Sequence, residues 1–269
     1  VFTFASGVPV GLAGSSVAEI TSGTREGWWS VIASSIATTI TTVETVPAGL
    51  AVGASIKVYK LKTLNDFMGA NAAGLAALDG VNQKPDEVQF LDAATQQTTI
   101  AVYATTAVGV PASGWYDFVN QSNLDGKFIY PGQAIKVRRY TAGAKPFVST
   151  GYVKTNKTEV DIFPQDNWVE PQRAVGATYA ALNVATSFNT EDGNDATNPP
   201  ADQLQVLRAN QATDVFVALA AGLGGGVVNF VTQADASGEV FTEGTGINVK
   251  RAASAPAGIW TVPAQPIAP

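Results

Sequence analysis

The stretch that decides the fold occurs twice. Residues 129–146 read "IYPGQAIKVRRYTAGAKP", and residues 241–256 read "FTEGTGINVKRAASAP". In both, a Gly is followed by Ile-x-Val, a basic pair and a later Pro. Ile and Val at alternate positions put two apolar side chains on one face of a strand, with Lys, Arg or Asn on the other. Gly132 and Gly244 stand 112 residues apart, and the same spacing places "GWYDF" (114–118) over "GVVNF" (226–230). Slightly upstream, "LDGVNQKPDEVQFL" (78–91) lies over "EDGNDATNPPADQLQVL" (191–207), with Asp86 opposite Asp202, 116 residues on. Three matches in one order, with turn residues in matching places, indicate an internal duplication. The period is too long for a solenoid and fits two copies of one β-rich module.

The segments between these anchors read as strands as well. "TTIAVYATT" and "TDVFVALAA" are β-branched and apolar. The first 62 residues give "VFTFASGVPVG", a hairpin of Val17–Thr21 with Trp28–Ala33, the β-branched run "ATTITTVETVP", and "ASIKVYKLK". In the last of these the alternation slips at Tyr59–Lys60–Leu61, as a bulge would make it do. The period changes only in "KTLNDFMGANAAGLAALDG", where Thr63 and Asp66 have capping-box spacing ahead of a short helix. A hairpin of 151–154 with 158–163 leads from one copy to the next. The expected fold is therefore all-β, mainly antiparallel, with one or two short helices and duplicated sandwich- or barrel-like modules. The expected division is an N-terminal hairpin region (1–62), copy one (63–168) and copy two (169–269).

Composition narrows the function. Of 269 residues 46 % are hydrophobic, enough for a sizeable core, but only 14 % are charged, and the net charge is −6. With so few charges the surface is built from Thr, Ser, Asn, Gln and Ala. There is no Lys/Arg-rich run to neutralise phosphates, so nucleic acid is not an expected partner. The chain has no cysteine and no histidine, which removes disulfides, thiolate nucleophiles, Ser-His-Asp triads and His-based metal sites. No apolar run reaches the ~18 residues of a membrane-spanning helix. The chain opens at Val1 and is read as the mature form of a secreted protein.

The order "AEITSGTREGWWSVI", "KTLNDFMG", "PDEVQFLDAATQQ", "GW" and "IYPGQAIKVRR" resembles that of an uncharacterised family of secreted verrucomicrobial proteins. Their pattern is a hairpin ending in Gly plus an aromatic pair, a "TL" segment and two strand–Gly-Trp–strand units. The second copy departs from it, with Val227 and Val228 where the first has Trp115 and Tyr116. The resemblance implies secretion and a duplicated β-rich fold, and brings no activity and no catalytic residues.

The remaining candidates for chemistry are carboxylates and aromatics. Asp192, Asn194, Asp195 and Asp202 form an oxygen-rich stretch of the kind Ca²⁺ uses, although Asp, Asn, Gly and Pro are also simply turn residues. Paired carboxylates suit glycoside hydrolysis, but no pairing is legible here, and no catalytic site and no other cofactor are expected. Trp28 with Trp29, and Trp115 with Tyr116, are neighbours on strands, so one of each pair should face outward. With Phe2 and Phe4 they are the expected interface residues. The reading that accounts for most of these features is a non-enzymatic extracellular subunit of a filament, tube or surface layer. It would join head to tail with copies of itself, with 1–10 adding as a strand to a neighbour. The alternatives are a secreted adhesin or carbohydrate-binding module with glycan partners, and a viral capsid or tail protein.

Overall fold

The structure is a computed structural model that describes residues 1–69, 72–140, 154–170, 177–193, 200–208, 212–241 and 247–264. It is an all-β protein, almost wholly antiparallel, in two compact units. One unit comprises Val1–Leu61, Lys154–Val160 and Thr261–Pro269, and the other Lys62–Val153 and Asp161–Trp260. Most of both copies falls within the second unit, while the first unit takes in the N-terminal region with Lys154–Val160 of the first copy and Thr261–Pro269 of the second.

The first unit is built on a five-stranded sheet of β1 (Phe2–Thr3), β2 (Ser16–Ile20), β3 (Trp29–Ile36), β4 (Thr39–Thr42) and β5 (Ile56–Lys60), in the order β1-β4-β3-β2-β5. β2 is buried along its whole length: Ala18 and Ile20 sit in the core with Phe2 and Trp28, and Glu19 on the opposite face meets Lys154 and Asn156. The bulge anticipated at Tyr59–Lys60–Leu61 is not there. β5 pairs with β2 in unbroken register from Ile56 to Lys60, and Leu61 continues by donating to the Ser15 carbonyl. The register shifts instead between Ile32 and Ser34, in the β3–β4 hairpin.

In the second unit the first copy contains β6 (Lys62–Thr63), α1 (Leu64–Met68), β7 (Glu87–Asp92), β8 (Gln97–Ala104), β9 (Gly114–Asp117), β10 (Phe128–Ile129) and β11 (Ile135–Arg138). α1 begins where its sequence says it should. The Thr63 hydroxyl accepts from the Asp66 N–H at 3.1 Å, and the Asp66 carboxylate accepts from the Thr63 N–H at 3.0 Å. Leu64 and Met68 then pack on Val88, Phe90, Ala101 and Trp115 of the sheet. β12 (Thr158–Ile162) pairs with β20 (Gly258–Val262); its anticipated hairpin partner, 151–154, lies outside the described residues except for Lys154. The second copy contains β14 (Ala177–Thr178), α2 (Val184–Ser187), β15 (Gln203–Leu207), β16 (Thr213–Ala218), β17 (Val227–Asn229), β18 (Val240–Phe241) and β19 (Ile247–Arg251).

The two copies share one strand order. The first sheet runs β11-β7-β8-β9 and the second β19-β15-β16-β17, with β13 (Gln165–Val169) added outside β19. β6 pairs with β10, and β14 pairs with β18 in the same place. Leu78 bridges Ala104 in parallel, and Glu191 bridges Leu219 likewise. The free side of β13 is closed by the first copy. Gln96 uses its side-chain amide as a strand would, accepting from the Asp166 N–H at 3.0 Å and donating to the Asp166 carbonyl at 2.9 Å. Beyond it, the Ala134 N–H donates to the Trp168 carbonyl and the Glu170 N–H to the Gly132 carbonyl. A sheet edge that would template pairing with another chain is thereby covered.

Candidate interaction surface

The residues expected to mediate contacts lie elsewhere than anticipated. Trp115 is fully buried and Tyr116 is 7 % exposed. The Trp115 ring meets Tyr103 edge-on at 5.7 Å beside α1, and the Tyr116 hydroxyl donates to the Ala112 carbonyl. β9 is covered on both faces, so the outward-facing member of the pair expected from strand alternation does not exist. Trp28 is buried against Phe2, ring centroids 6.1 Å apart, and Trp29 is half-buried. Phe2 pairs opposite Ile40 within its own sheet, and Phe4 packs on the same core. The physical reason is the short β1–β4 ladder: the chain seats its own N-terminal strand, and both Phe side chains fill its own interior.

The acidic stretch also resolves differently. Asn194 and Asp195 lie outside the described residues, and Asp192 is half-buried. Asp202 is buried, with its Oδ2 accepting from the Arg251 Nε at 3.1 Å and from the Asn189 N–H at 3.0 Å. A carboxylate so engaged, beside a guanidinium, is a poor Ca²⁺ ligand. Among the described residues no group of three or more acidic side chains converges as a metal would require. Burial pushes the Asp202 carboxyl upward, and the Asn189 N–H and Arg251 only partly draw it back. The first copy repeats the pair: Arg139 Nε lies 3.3 Å from Asp86 Oδ2, and the Tyr140 N–H donates to Oδ1 at 2.8 Å. In the first unit, buried Glu19 faces Lys154 Nζ at 2.6 Å and accepts from the Asn156 side chain. Each of these three buried carboxylates faces a cation and holds structure together.

The repeat brings a different set of side chains to the surface. After β9 the chain turns through Asp117-Phe118-Val119-Asn120-Gln121, and after β17 through Asn229-Phe230-Val231-Thr232-Gln233. Asp117 Oδ1 accepts from the Val119 and Asn120 N–H groups at 2.8 and 3.0 Å. Asn229 Oδ1 accepts from Val231 and Thr232, each at 3.0 Å. Gln121 and Gln233 take the same left-handed backbone conformation, φ 56° and 59°, and donate their N–H groups to the Asp117 and Asn229 carbonyls, each at 2.8 Å. Asp117 in turn donates to the Ser122 carbonyl and Asn229 to that of Ala234, each at 2.9 Å. At the foot of each turn an acceptor side chain takes an N–H at the start of the strand: Asp125 from Trp115, the second residue of β9, at 2.7 Å, and Ser237 from Val227, the first of β17, at 3.0 Å. A β-carbon on Gly114 would lie 2.7 Å from that Asp125 carboxylate, so only Gly fits the foot of the first turn as it stands.

This frame has electrostatic content. Burial pulls the Asp117 carboxyl up, but the Asn120 and Val119 N–H groups and the Asn120 side chain outweigh it and hold the group below the usual carboxylate range. The frame fixes what it carries. Phe118 and Val119 are 49 % and 72 % exposed, and Phe230 and Val231 are 47 % and 76 % exposed. Among the described residues, exposed large apolar side chains otherwise stand singly, which is ordinary for a protein surface. Adjacent pairs occur at these two equivalent tips alone. The sequence held the signal, since "F-V-x-Q" recurs at residues 118–121 and 230–233 just beyond the matched "GWYDF" and "GVVNF". What it lacked was exposure, which strand alternation cannot assign inside a turn.

Compared with protein-family models, with curated proteins and with solved structures, the chain matches none. No helix among the described residues is long and apolar enough to cross a membrane.

Proposed function

We propose that this chain is a non-enzymatic, secreted structural subunit that assembles with copies of itself into an extracellular filament, tube or surface layer. The observation that carries this reading is the pair of equivalent, hydrogen-bonded turns that each expose a Phe–Val pair. The buried aromatics of the repeat changed between copies, from Trp115 and Tyr116 to Val227 and Val228, while the exposed Phe-Val persisted. Packing explains retention of buried residues; retention of exposed apolar ones calls for something outside the fold to cover them. Two tips on one chain supply the two valences a linear assembly needs.

Composition supports the same reading. With 14 % charged residues, little surface repulsion keeps copies apart. With neither His nor Cys, the commonest acid–base and nucleophilic groups are missing. Of the buried carboxylates among the described residues, Glu19, Asp86 and Asp202 are each paired with a cation, and Asp117 is held by N–H groups of its own turn. The adhesin alternative needs exposed aromatics for stacking on sugars, and of those expected Trp28, Trp115 and Tyr116 are buried while Trp29 is half-buried. Electron microscopy of the purified chain over a concentration series tests the proposal. Ordered polymers are the expected result, and monodisperse single chains at every concentration would remove it.

A further inference from the structure

We propose that Glu19, Lys154 and Asn156 form a self-processing site, in which Lys154 Nζ displaces ammonia from the Asn156 carboxamide and closes an isopeptide bond within the chain. All three residues belong to the first unit. The reaction is a single turnover on the protein's own side chains, and it does not depend on how subunits assemble.

Of the three buried carboxylates that face a cation, this one differs from the other two. Asp86 and Asp202 face Arg139 and Arg251, and a guanidinium stays protonated. Glu19 faces an amine, which can give up a proton and attack. A carboxamide lies on the same oxygen. Glu19 Oε1 is 2.6 Å from Lys154 Nζ and accepts from Asn156 Nδ2 at 3.0 Å. The amine and the amide nitrogen are therefore no further apart than those two lengths together. Lys154 Nζ is buried, yet its approach to Glu19 is not aligned as a hydrogen bond, and it has no other partner among the described residues. A buried ion pair is weak support for a fold, and a buried ammonium without a hydrogen bond is weaker still. A reacting amine accounts for that placement.

The backbone holds the two side chains side by side. Lys154 and Asn156 are alternate residues that both meet Glu19, whereas Thr155 and Lys157 are exposed. Their segment is fixed to the β2–β3 connection. The Lys157 N–H donates to the Glu26 carboxylate at 3.1 Å, the Glu159 N–H donates to the Gly27 carbonyl at 3.2 Å, and Arg25 lies 3.2 Å from the Glu159 carboxylate. On the sheet Glu19 stands opposite Trp29 and Lys57, and the Tyr59 hydroxyl donates to it. In the step, Lys154 Nζ passes a proton to Glu19 and attacks Asn156 Cγ, the Cγ–Nδ2 bond breaks, and Nδ2 leaves as ammonium. Glu19 relays two of the three ammonium protons of Lys154 to the departing nitrogen and finishes ionised. Charge and electrons balance with no further reactant. The new amide N–H then replaces the ammonium beside Glu19. Free amines do not displace ammonia from amides at a useful rate; fixing amine, amide and relay in one water-poor spot supplies the missing proximity.

The test is intact-mass spectrometry of the full purified chain after incubation at mildly alkaline pH, followed by tryptic mapping. Wild type is expected to be lighter than its sequence by about 17 Da, one ammonia. Trypsin should then fail to cut after Lys154, and fragmentation of that peptide should join 154 to 156. Lys154→Met, Asn156→Ala and Glu19→Gln are each expected to keep the full sequence mass, with thermal melts to show that they fold. Asn156→Asp is expected to close the same bond with loss of water, about 18 Da, which keeps the proposal testable if Glu19→Gln does not fold. A wild type that keeps its full sequence mass overturns the proposal. A loss of ammonia that survives in Lys154→Met overturns it too, because it reports a succinimide at Asn156 and not a bond to lysine. A loss undiminished in folded Glu19→Gln overturns the three-residue site. None of these readouts depends on polymerisation, so the proposal can fail while the subunit reading stands, and the reverse.

Discussion

Arg251 Nε lies 3.1 Å from Asp202 Oδ2 with both side chains almost wholly out of solvent, whereas its counterpart Arg139, 3.3 Å from Asp86, keeps about a fifth of its side chain exposed. Arg251 also donates to the Pro256 carbonyl at 2.6 Å, and so ties β19 to the connection that leads into β20. The pair is one device used twice, buried more deeply the second time.

Replacing Arg251 with Met leaves the Asp202 carboxylate buried without its cation. The expected loss of stability at neutral pH is about 3–5 kcal/mol, and Arg139→Met is expected to lose less because water reaches that site. Asp202 already sits above the usual carboxylate range through burial, and losing Arg251 raises it further. A carboxyl raised in the folded state contributes stability below its unfolded pKa, and that contribution is lost as pH rises through the folded value. The Arg251→Met deficit should therefore shrink as pH is lowered toward 4. Urea denaturation at both pH values checks this; a deficit that grows in acid contradicts it.

The second copy predicts what the first tolerates at its turn. Asn229 does with an amide oxygen what Asp117 does with a carboxylate. Asp117→Asn is expected to be nearly neutral at pH 7, and Asp117→Ala to cost about 1 kcal/mol, as for loss of a comparable backbone cap. Asp117 is held below its ordinary pKa, so its contribution is present above the unfolded value and lost as pH falls through the folded one. Asp117→Asn should flatten that part of the acid limb. Thermal melts between pH 2 and 7 on the three proteins decide the point.

Much of the fold was legible because the chain states it twice. Asp86 and Asp202, and the Ile-x-Val strands β11 and β19, lie at offsets of 116 and 112 residues, and the sheets that contain those two strands share one strand order. The Thr63–Asp66 cap was readable because both of its bonds are local. The aromatics were misread because alternation says which face a residue takes, not whether that face is covered. Trp115 and Tyr116 point to opposite faces of β9, and both faces are buried. The tips were overlooked for the converse reason: Phe and Val read as core unless the turn around them is known. The core of the second copy also draws bulk from Tyr179, just after β14, and Trp260 on β20, outside the matched stretches, so a residue-by-residue comparison fades there.

Gly27 marks a close approach in the first unit. Its φ is +98°, and a β-carbon there would lie 2.8 Å from the Lys157 carbonyl oxygen. That oxygen belongs to backbone, which cannot swing aside as a side chain would. Gly27→Ala is expected to cost about 2 kcal/mol or more, combining left-handed strain with the clash. Gly11, also at positive φ but with open space around it, should lose only the smaller conformational part when replaced by Ala. Equal losses at the two positions would show that conformation alone sets the cost.

The two fully buried tryptophans of the second unit should answer differently to one substitution. Trp260 donates its indole N–H to the Leu182 carbonyl at 2.8 Å. Trp115 Nε1 is buried with no hydrogen-bond partner. An unpartnered buried donor costs about 1–3 kcal/mol, so Trp115 carries a penalty that a benzyl ring would not. Trp115→Phe loses some packing and relieves that penalty, and its net cost is expected to stay below about 1.5 kcal/mol. Trp260→Phe loses similar packing and also leaves the Leu182 carbonyl without its donor, so the two terms add instead of opposing. Its cost is expected to exceed that of Trp115→Phe by at least about 1 kcal/mol. Urea midpoints of the two variants at constant m-value measure the difference. A Trp115→Phe variant as damaged as Trp260→Phe would show that the Trp115 indole N–H has a partner in solution.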